Sequence, residues 1–250
     1  MANDGFYISE LDNGWTVGRF RALDELDGFS HAVTTRRGID VGVLVRDYGQ
    51  AAVTIARELK LGPLAYCDQV HGNVVLEPVV AGLAGQADGL VACRQDVGLM
   101  TRSADCPLIL IADPTSGAVG TAHASWRGTA AQVAAQLVLK LVARHSSDPA
   151  DLVACICPSA GPCCYQVGLD VVAAVTASIG ENAKRFFVQR DGALYFDLWE
   201  ANCHQLMRSG LRKQNIHVAG ICTICRNDLF PSYRVEREKA GRFAAIIASR

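Results

Sequence analysis

The stretch that most constrains this chain lies in its middle. LILIAD (residues 108–113) is a run of apolar, β-prone side chains, Pro114, Thr115, Ser116 and Gly117 follow as turn formers, and AVGTAHA (118–124) is apolar again. Two such runs around a four-residue turn predict a β-hairpin. From Gly128, GTAAQVAAQLVLKLVARH spaces Val133, Leu137 and Leu141 four residues apart, which predicts a helix directly behind the second strand. A hairpin feeding a helix asks for a sheet with a helix laid over it, and it leaves His123 at a strand end.

The flanking sequence continues in that style. AAVTIARELKLG predicts a helix over 51–61 that stops at Gly62, and strand-like runs follow at 64–67 and 74–76. LVACIC (152–157) reads as a buried strand, VVAAVTASIG (171–180) as a helix, IHVAGICT (216–223) as a strand and GRFAAIIASR (241–250) as a final helix. Asp197 and Glu200 have the spacing of an N-terminal capping box. Strands that come singly and in hairpins between helices imply an α/β fold of α+β type, with mixed sheets flanked by helices. No linker, charge block or short repeat divides the 250 residues, so one domain spanning 1–250 is expected.

Charge and composition exclude several classes. The formal net charge is −1 and no Lys/Arg run stands out, so no basic field exists to gather a nucleic acid. The N-terminus carries Asp4, Glu10 and Asp12 and lacks the basic and apolar regions of a secretory signal. Even LVLKLVA is broken by Lys140, and no apolar run reaches the roughly 18 residues of a membrane span. A soluble, cytoplasmic protein without membrane contact is expected. Its ten cysteines then belong to a reducing compartment, as core fillers, metal ligands or nucleophiles. Cys155, Cys157 and Cys203 sit among apolar neighbours and read as packing. Cys222 and Cys225 form a C-x-x-C, but a single pair lacks partner ligands. Cys163 and Cys164 are adjacent, an arrangement that rarely completes one tetrahedral site, so packing or incidental thiols is the reading for all four. Dinucleotide, P-loop, G-x-S-x-G and H-E-x-x-H motifs are absent from the sequence.

Three short stretches put reactive side chains where loops meet strands: DQVHGNVV (68–75), SADCPLIL (103–110) and HASWRGT (123–129). Gly72 after His71 and Pro107 after Cys106 set the backbone there. His71, Cys106 and His123 would make two imidazoles and one thiolate, the three-ligand set that leaves a catalytic zinc its fourth position. Their spacing alone is weak evidence, because zinc ligands usually come in close pairs.

Several separated motifs then occur in one order: QVHG, ADGLVACRQDVGLMTRSADCP, GAVGTAHASWRGT, GPCCYQVG and CTIC…FPSYR…GR. Over nearly the whole chain this resembles the YfiH family, the laccase-domain or multicopper polyphenol oxidoreductase-like proteins related to human FAMIN. The resemblance implies a YfiH-like sandwich and a zinc on His71, Cys106 and His123. It also implies purine nucleoside phosphorylase activity on adenosine, inosine, guanosine and S-methyl-5′-thioadenosine, with adenosine deamination in the same pocket. Purine nucleosides and phosphate are the implied partners, and the oligomeric state, monomer or small homo-oligomer, stays open. Ser125 stands where the family commonly has glycine, Pro231 where it has phenylalanine, and TTRRGIDVG replaces an STRxGGVS-like segment. These departures leave the ligands intact and bear on substrate preference and phosphate placement.

Phosphorolysis needs a phosphate beside the ribose, and arginine forks suit phosphate, so Arg36, Arg127 and Arg234 are the candidates. Asp105 is an acid/base or a group that orients a ligand. Gln69 shares a face with His71 in an extended segment and is a substrate-contact candidate. Trp126 reads as core packing. A competing reading makes Cys106 a nucleophile and His71 or His123 its base, in an amidase acting on peptidoglycan precursors. That enzyme would survive chelation. Copper-dependent polyphenol oxidation comes third, since six histidines include no H-x-H. A non-enzymatic scaffold predicts no metal and no turnover.

Overall fold

A computed structural model describes residues 5–38 and 48–250. Among these, seven strands make the larger sheet, in the spatial order Phe6–Glu10, Thr16–Phe20, Phe29–Thr34, Phe243–Ser249, Gly98–Ser103, Leu64–Asp68 and Gly82–Gln86. Six make a second: Ile216–Val218, Val153–Ile156, Leu108–Ala112, Val119–His123, Gly89–Ala92 and Val75–Leu76. Both sheets are mixed. Leu64–Asp68 runs parallel to its two neighbours, while Phe243–Ser249 is antiparallel to its own.

Side-chain alternation stacks these sheets into layers. From Phe243–Ser249, residues Phe243, Ala245 and Ile247 face the second sheet, and Ala244 and Ile246 face the helix Tyr48–Glu58. From Leu108–Ala112, residues Leu108, Leu110 and Ala112 complete the inter-sheet core, while Ile109 and Ile111 pack under helix Val133–His145. The order is therefore helix, sheet, sheet, helix. The buried hydroxyls of Thr101 and Thr121 meet at 2.7 Å across the two sheets. A small sheet of Gln166–Val167, Ala193–Phe196 and Phe187–Arg190 closes one end with helix Leu169–Ile179.

The predicted hairpin is present, paired antiparallel from Val119 opposite Ala112 to His123 opposite Leu108. Asp113 fixes its turn by accepting from Thr115 N–H at 2.9 Å and from the Ser116 hydroxyl at 2.6 Å. Other expectations need correcting. The segment 241–250 is a strand in the middle of the larger sheet, because burial on both faces removes the polar alternation that would have marked it. The helix behind the hairpin is two helices, Trp126–Ala130 and Val133–His145, broken where Gln132 turns left-handed at φ 60°. The early helix ends at Glu58 rather than near Gly62. Lys60 takes the left-handed position, and the Lys60 and Leu61 N–H groups donate back to the Arg57 and Ala56 carbonyls. At Asp197 the cap forms, accepting from Glu200 N–H at 2.9 Å.

A candidate metal centre and its pocket

The chain crosses from the larger sheet to the second through Ala104, Asp105, Cys106 and Pro107, between strands Gly98–Ser103 and Leu108–Ala112. That crossing carries Cys106 to the place where the loop after Leu64–Asp68 brings His71 and the end of Val119–His123 brings His123. A nitrogen from each imidazole and the Cys106 sulfur all lie within 4.8 Å of one another. The two rings stand edge to face, 4.9 Å between centroids. Two nitrogens and one thiolate at this spacing are the donor set of a three-ligand transition-metal site.

One residue that the sequence reading passed over organises both imidazoles. Asp88 is fully buried, and its Oδ1 accepts from His123 Nδ1 at 2.8 Å and from His71 N–H at 3.1 Å. Its Oδ2 accepts from Gly72 N–H at 2.6 Å and Val70 N–H at 3.2 Å. Burial alone would raise the Asp88 pKa, but these donors hold it below the usual carboxylate range. With Nδ1 engaged, His123 turns Nε2 toward Cys106, the carboxylate–histidine arrangement common behind metal ligands. Burial works against a charged His123, yet Cys106 and Asp88 outweigh it and hold the imidazole at about 9. His71 is lowered by burial and by His123.

Local sequence explains the positioning. His71 sits in left-handed backbone at φ 62°, with Gly72 behind it. A Cβ on Gly128 would fall 2.9 Å from the Gly72 carbonyl, so the loop and the helix Trp126–Ala130 touch only because glycine is there. Ser125 caps that helix, accepting from Gly128 N–H at 3.0 Å.

A cavity of about 420 Å³ opens on the centre, lined by His71, Cys106 and His123 and by Asp105, Gln69, Ser103, Tyr48, Tyr165, Tyr233, Arg102, Arg234 and Arg242. Asp105 is buried at φ 88°. Its Oδ1 accepts from the Thr223 hydroxyl and its Oδ2 from Arg234 N–H, both at 2.7 Å. Gln69 exchanges two hydrogen bonds with the Arg102 backbone at 2.8 and 2.9 Å. Arg234 lies 4.7 Å from the Tyr165 ring and donates to the Gln166 carbonyl. Arg127 is exposed, stacks over Trp126 at 4.3 Å, and borders a neighbouring hollow that shares Tyr165 and Arg234. Arg36 is not among the lining residues; it pairs with Glu236, two residues from Arg234. The sequence reading missed Arg102, which is buried, donates to the Cys67 carbonyl at 2.9 Å and lies 3.4 Å over the Tyr48 ring. It also missed Arg242, which donates to the Ala240 and Gly241 carbonyls. Ser103 offers a buried hydroxyl with no hydrogen-bond partner among the described residues.

A family model described as multi-copper polyphenol oxidoreductase laccase matches residues 31–250. The chain belongs to the YfiH/laccase-domain family. It is 34% identical over 195 residues to a protein of Geobacillus stearothermophilus named purine nucleoside phosphorylase YlmD, covering 74% of this chain and 71% of that one. A Deinococcus radiodurans protein named purine nucleoside phosphorylase is 30% identical over 235 residues, covering 87% and 88%. The crystal structure of Bacillus licheniformis YfiH superposes with a TM-score of 0.84 at 27% identity, covering 94% of this chain and 96% of that one. YlmD from Geobacillus stearothermophilus gives 0.84 at 29%, covering 97% and 98%. Within this family fold, no helix among the described residues is long and apolar enough to cross a membrane.

Proposed function

We propose that this one-domain, cytoplasmic chain is a zinc-dependent purine nucleoside phosphorylase that accepts adenosine, inosine, guanosine and S-methyl-5′-thioadenosine and also deaminates adenosine. The observation that carries the reading is the meeting of a His₂Cys donor set, three arginines and three tyrosines in one cavity. Relatives named purine nucleoside phosphorylase support it.

Phosphorolysis asks for a phosphate held against the ribose anomeric carbon and a base oriented above it. Among the described residues, Arg102, Arg234 and Arg242 line the cavity against one carboxylate, Asp105, which accepts hydrogen bonds from Thr223 and Arg234 N–H. Tyr165 and Tyr233 offer aromatic surface to a purine, Tyr48 backs Arg102 in the wall, and Ser103 offers a hydroxyl to the ribose or phosphate. Zinc on His71, Cys106 and His123 would supply Lewis acidity. Asp105 acts by orientation, since both of its oxygens accept from protein donors; it fixes the Cys106 backbone and the start of the segment bearing Arg234. Gln69 is engaged with Arg102 and shapes the wall, Arg127 guides substrate at the mouth, and Arg36 positions Arg234 through Glu236.

One observation favours a second reading. Cys106, His123 and Asp88 stand in line as nucleophile, base and orienting acid would. His71 facing the same sulfur is superfluous there and necessary for a metal. The test is zinc analysis with adenosine turnover, followed by chromatography with and without phosphate, in wild type and Cys106→Ala. Adenine or inosine formed only by wild type, together with zinc that the variant lacks, is expected. Inert wild type whose metal content Cys106→Ala leaves unchanged refutes the reading and directs the search to the amidase.

A further inference from the structure

The two cysteine pairs that look unrelated in sequence converge in space. Cys163 and Cys164 lie in the irregular segment between Val153–Ile156 and Gln166–Val167; Cys222 and Cys225 lie in the one between Ile216–Val218 and Tyr233–Glu236. A single bridge, Ser159 with Cys222, aligns the segments in parallel, and all four sulfurs fall within 4.8 Å of one another. Cys164 Sγ is 3.3 Å and Cys163 Sγ 3.7 Å from Cys225 Sγ. A disulfide would need about 2 Å. Four sulfurs at about 2.3 Å around one zinc stand about 3.8 Å apart, so the sulfurs here, 3.3 and 3.7 Å apart for two pairs and within 4.8 Å for all, are near that spacing.

We propose that Cys163, Cys164, Cys222 and Cys225 form a second, closed tetrathiolate site for zinc, separate from the His₂Cys centre and structural in role. Three features beyond the spacing support it. The Cys222 sulfur accepts from the Gly161 N–H at 3.3 Å, a backbone donor of the kind that steadies a coordinating sulfur. The approach is built for closeness: a Cβ on Gly161 would stand 3.1 Å from Cys222 Cβ and 2.7 Å from the Trp199 ring. And the site has something to hold. Between Val218 and Tyr233 the chain has neither helix nor strand, a stretch long enough to need bracing. It nonetheless carries Thr223, whose hydroxyl holds Asp105 at the floor of the active cavity. On the other segment, Cys164 precedes Tyr165, a cavity wall. A metal clamp would fix both. Four protein ligands leave no open position, so this ion takes no part in turnover. Binding replaces thiol protons by the metal, with no change of oxidation state.

The test is zinc stoichiometry on full-length protein purified with a thiol reductant, measured for wild type, Cys106→Ser, Cys225→Ser and Cys225→His. Two ions in wild type, one in each serine variant and two in Cys225→His are expected, the histidine restoring the fourth ligand. Alkylation of native wild type, mapped by peptide mass, reads the same question without a substitution. Cys163, Cys164 and Cys225 should resist until a chelator is added, although two of them are exposed. One ion lost only with Cys106→Ser, prompt alkylation of these thiols, or a mass lower by two hydrogens per disulfide would each overturn the proposal. The Cys106→Ser arm alone bears on the catalytic zinc.

Discussion

Replacing Asp88 with asparagine keeps the volume of a fully buried side chain and changes one oxygen into an N–H donor. Each oxygen accepts two hydrogen bonds, so whichever is replaced, two N–H groups face a donor. Losing two charge-assisted bonds and leaving buried donors unmet costs roughly 3–5 kcal/mol. In a chain of this size that lowers Tm by on the order of 10 °C. Metal binding at the proposed centre suffers separately. If the new amide faces His123, it forces the proton onto Nε2, the nitrogen turned toward Cys106. Outer-sphere changes of this kind weaken metal binding by roughly ten- to a hundredfold. Zinc affinity measured against a competing chelator, and thermal unfolding followed by circular dichroism, read the two effects independently. An Asp88→Asn protein with wild-type zinc affinity and a Tm within a degree or two of wild type would refute the view that this carboxylate builds the centre.

Arg234→Ala should raise KM for phosphate by roughly ten- to a hundredfold, from the loss of a charge-assisted contact of about 1.5–3 kcal/mol, with a smaller change in KM for the nucleoside; steady-state kinetics with phosphate varied would show otherwise if both constants moved together. Stability should decline below neutral pH through His31, whose ring Nε2 accepts from Phe20 N–H and which burial lowers from 6.5 to about 4. The unfolded chain takes up a proton near pH 6.5 while the folded one resists until about 4, so this contribution is present above 6.5 and roughly 3 kcal/mol of it disappears across that window; urea unfolding at pH 7.5, 6 and 4.5 for wild type and His31→Gln checks it, with parallel slopes as the contrary result. Ile246→Ala, in the central strand and fully buried against the helix Tyr48–Glu58, should cost about 2–5 kcal/mol in the same urea assay.

What the sequence made legible follows how each element is buried. The hairpin 108–124 is legible because the turn residues Pro114, Thr115, Ser116 and Gly117 divide its two strands, although both strands are wholly buried. FAAIIAS has no partner run across a turn and lies between a helix and a second sheet, so its apolar run carries no period and reads as readily as a helix. The break at Gln132 had no glycine or proline to announce it, and the cap at Lys60 used a residue that seldom turns left-handed. His71, Cys106 and His123 were named as candidate ligands through motifs, and the fold brings the three together. Asp88 was not: one acid in an apolar run looks like a strand-end charge until Val70, His71, Gly72 and His123 are seen around it. Arg102 and Arg242 likewise sit inside strand-like or glycine-rich text that gives no hint of a cavity. That the four cysteines meet in space was hidden for a related reason: the pairs are remote in sequence, and the fold brings them together where Ser159 pairs with Cys222.

His71 and Asp105 both hold left-handed backbone, a conformation that costs a residue other than glycine roughly 1–3 kcal/mol. Neither is held by its own side-chain preference. The Asp88 carboxylate takes the His71 N–H, and Thr223, Arg234 N–H and Ala160 N–H close on the Asp105 carboxylate and carbonyl. The bonds that offset the strain are thus the bonds that aim the ligands: relaxing either residue would swing His71 or Cys106 out of the shared 4.8 Å sphere. The partners come from other parts of the chain, so the arrangement depends on the two sheets and the segment carrying Thr223 being docked together. A candidate centre built in this way is a product of the whole fold, and the buried acids that would never meet a metal contribute to it as directly as the residues that would.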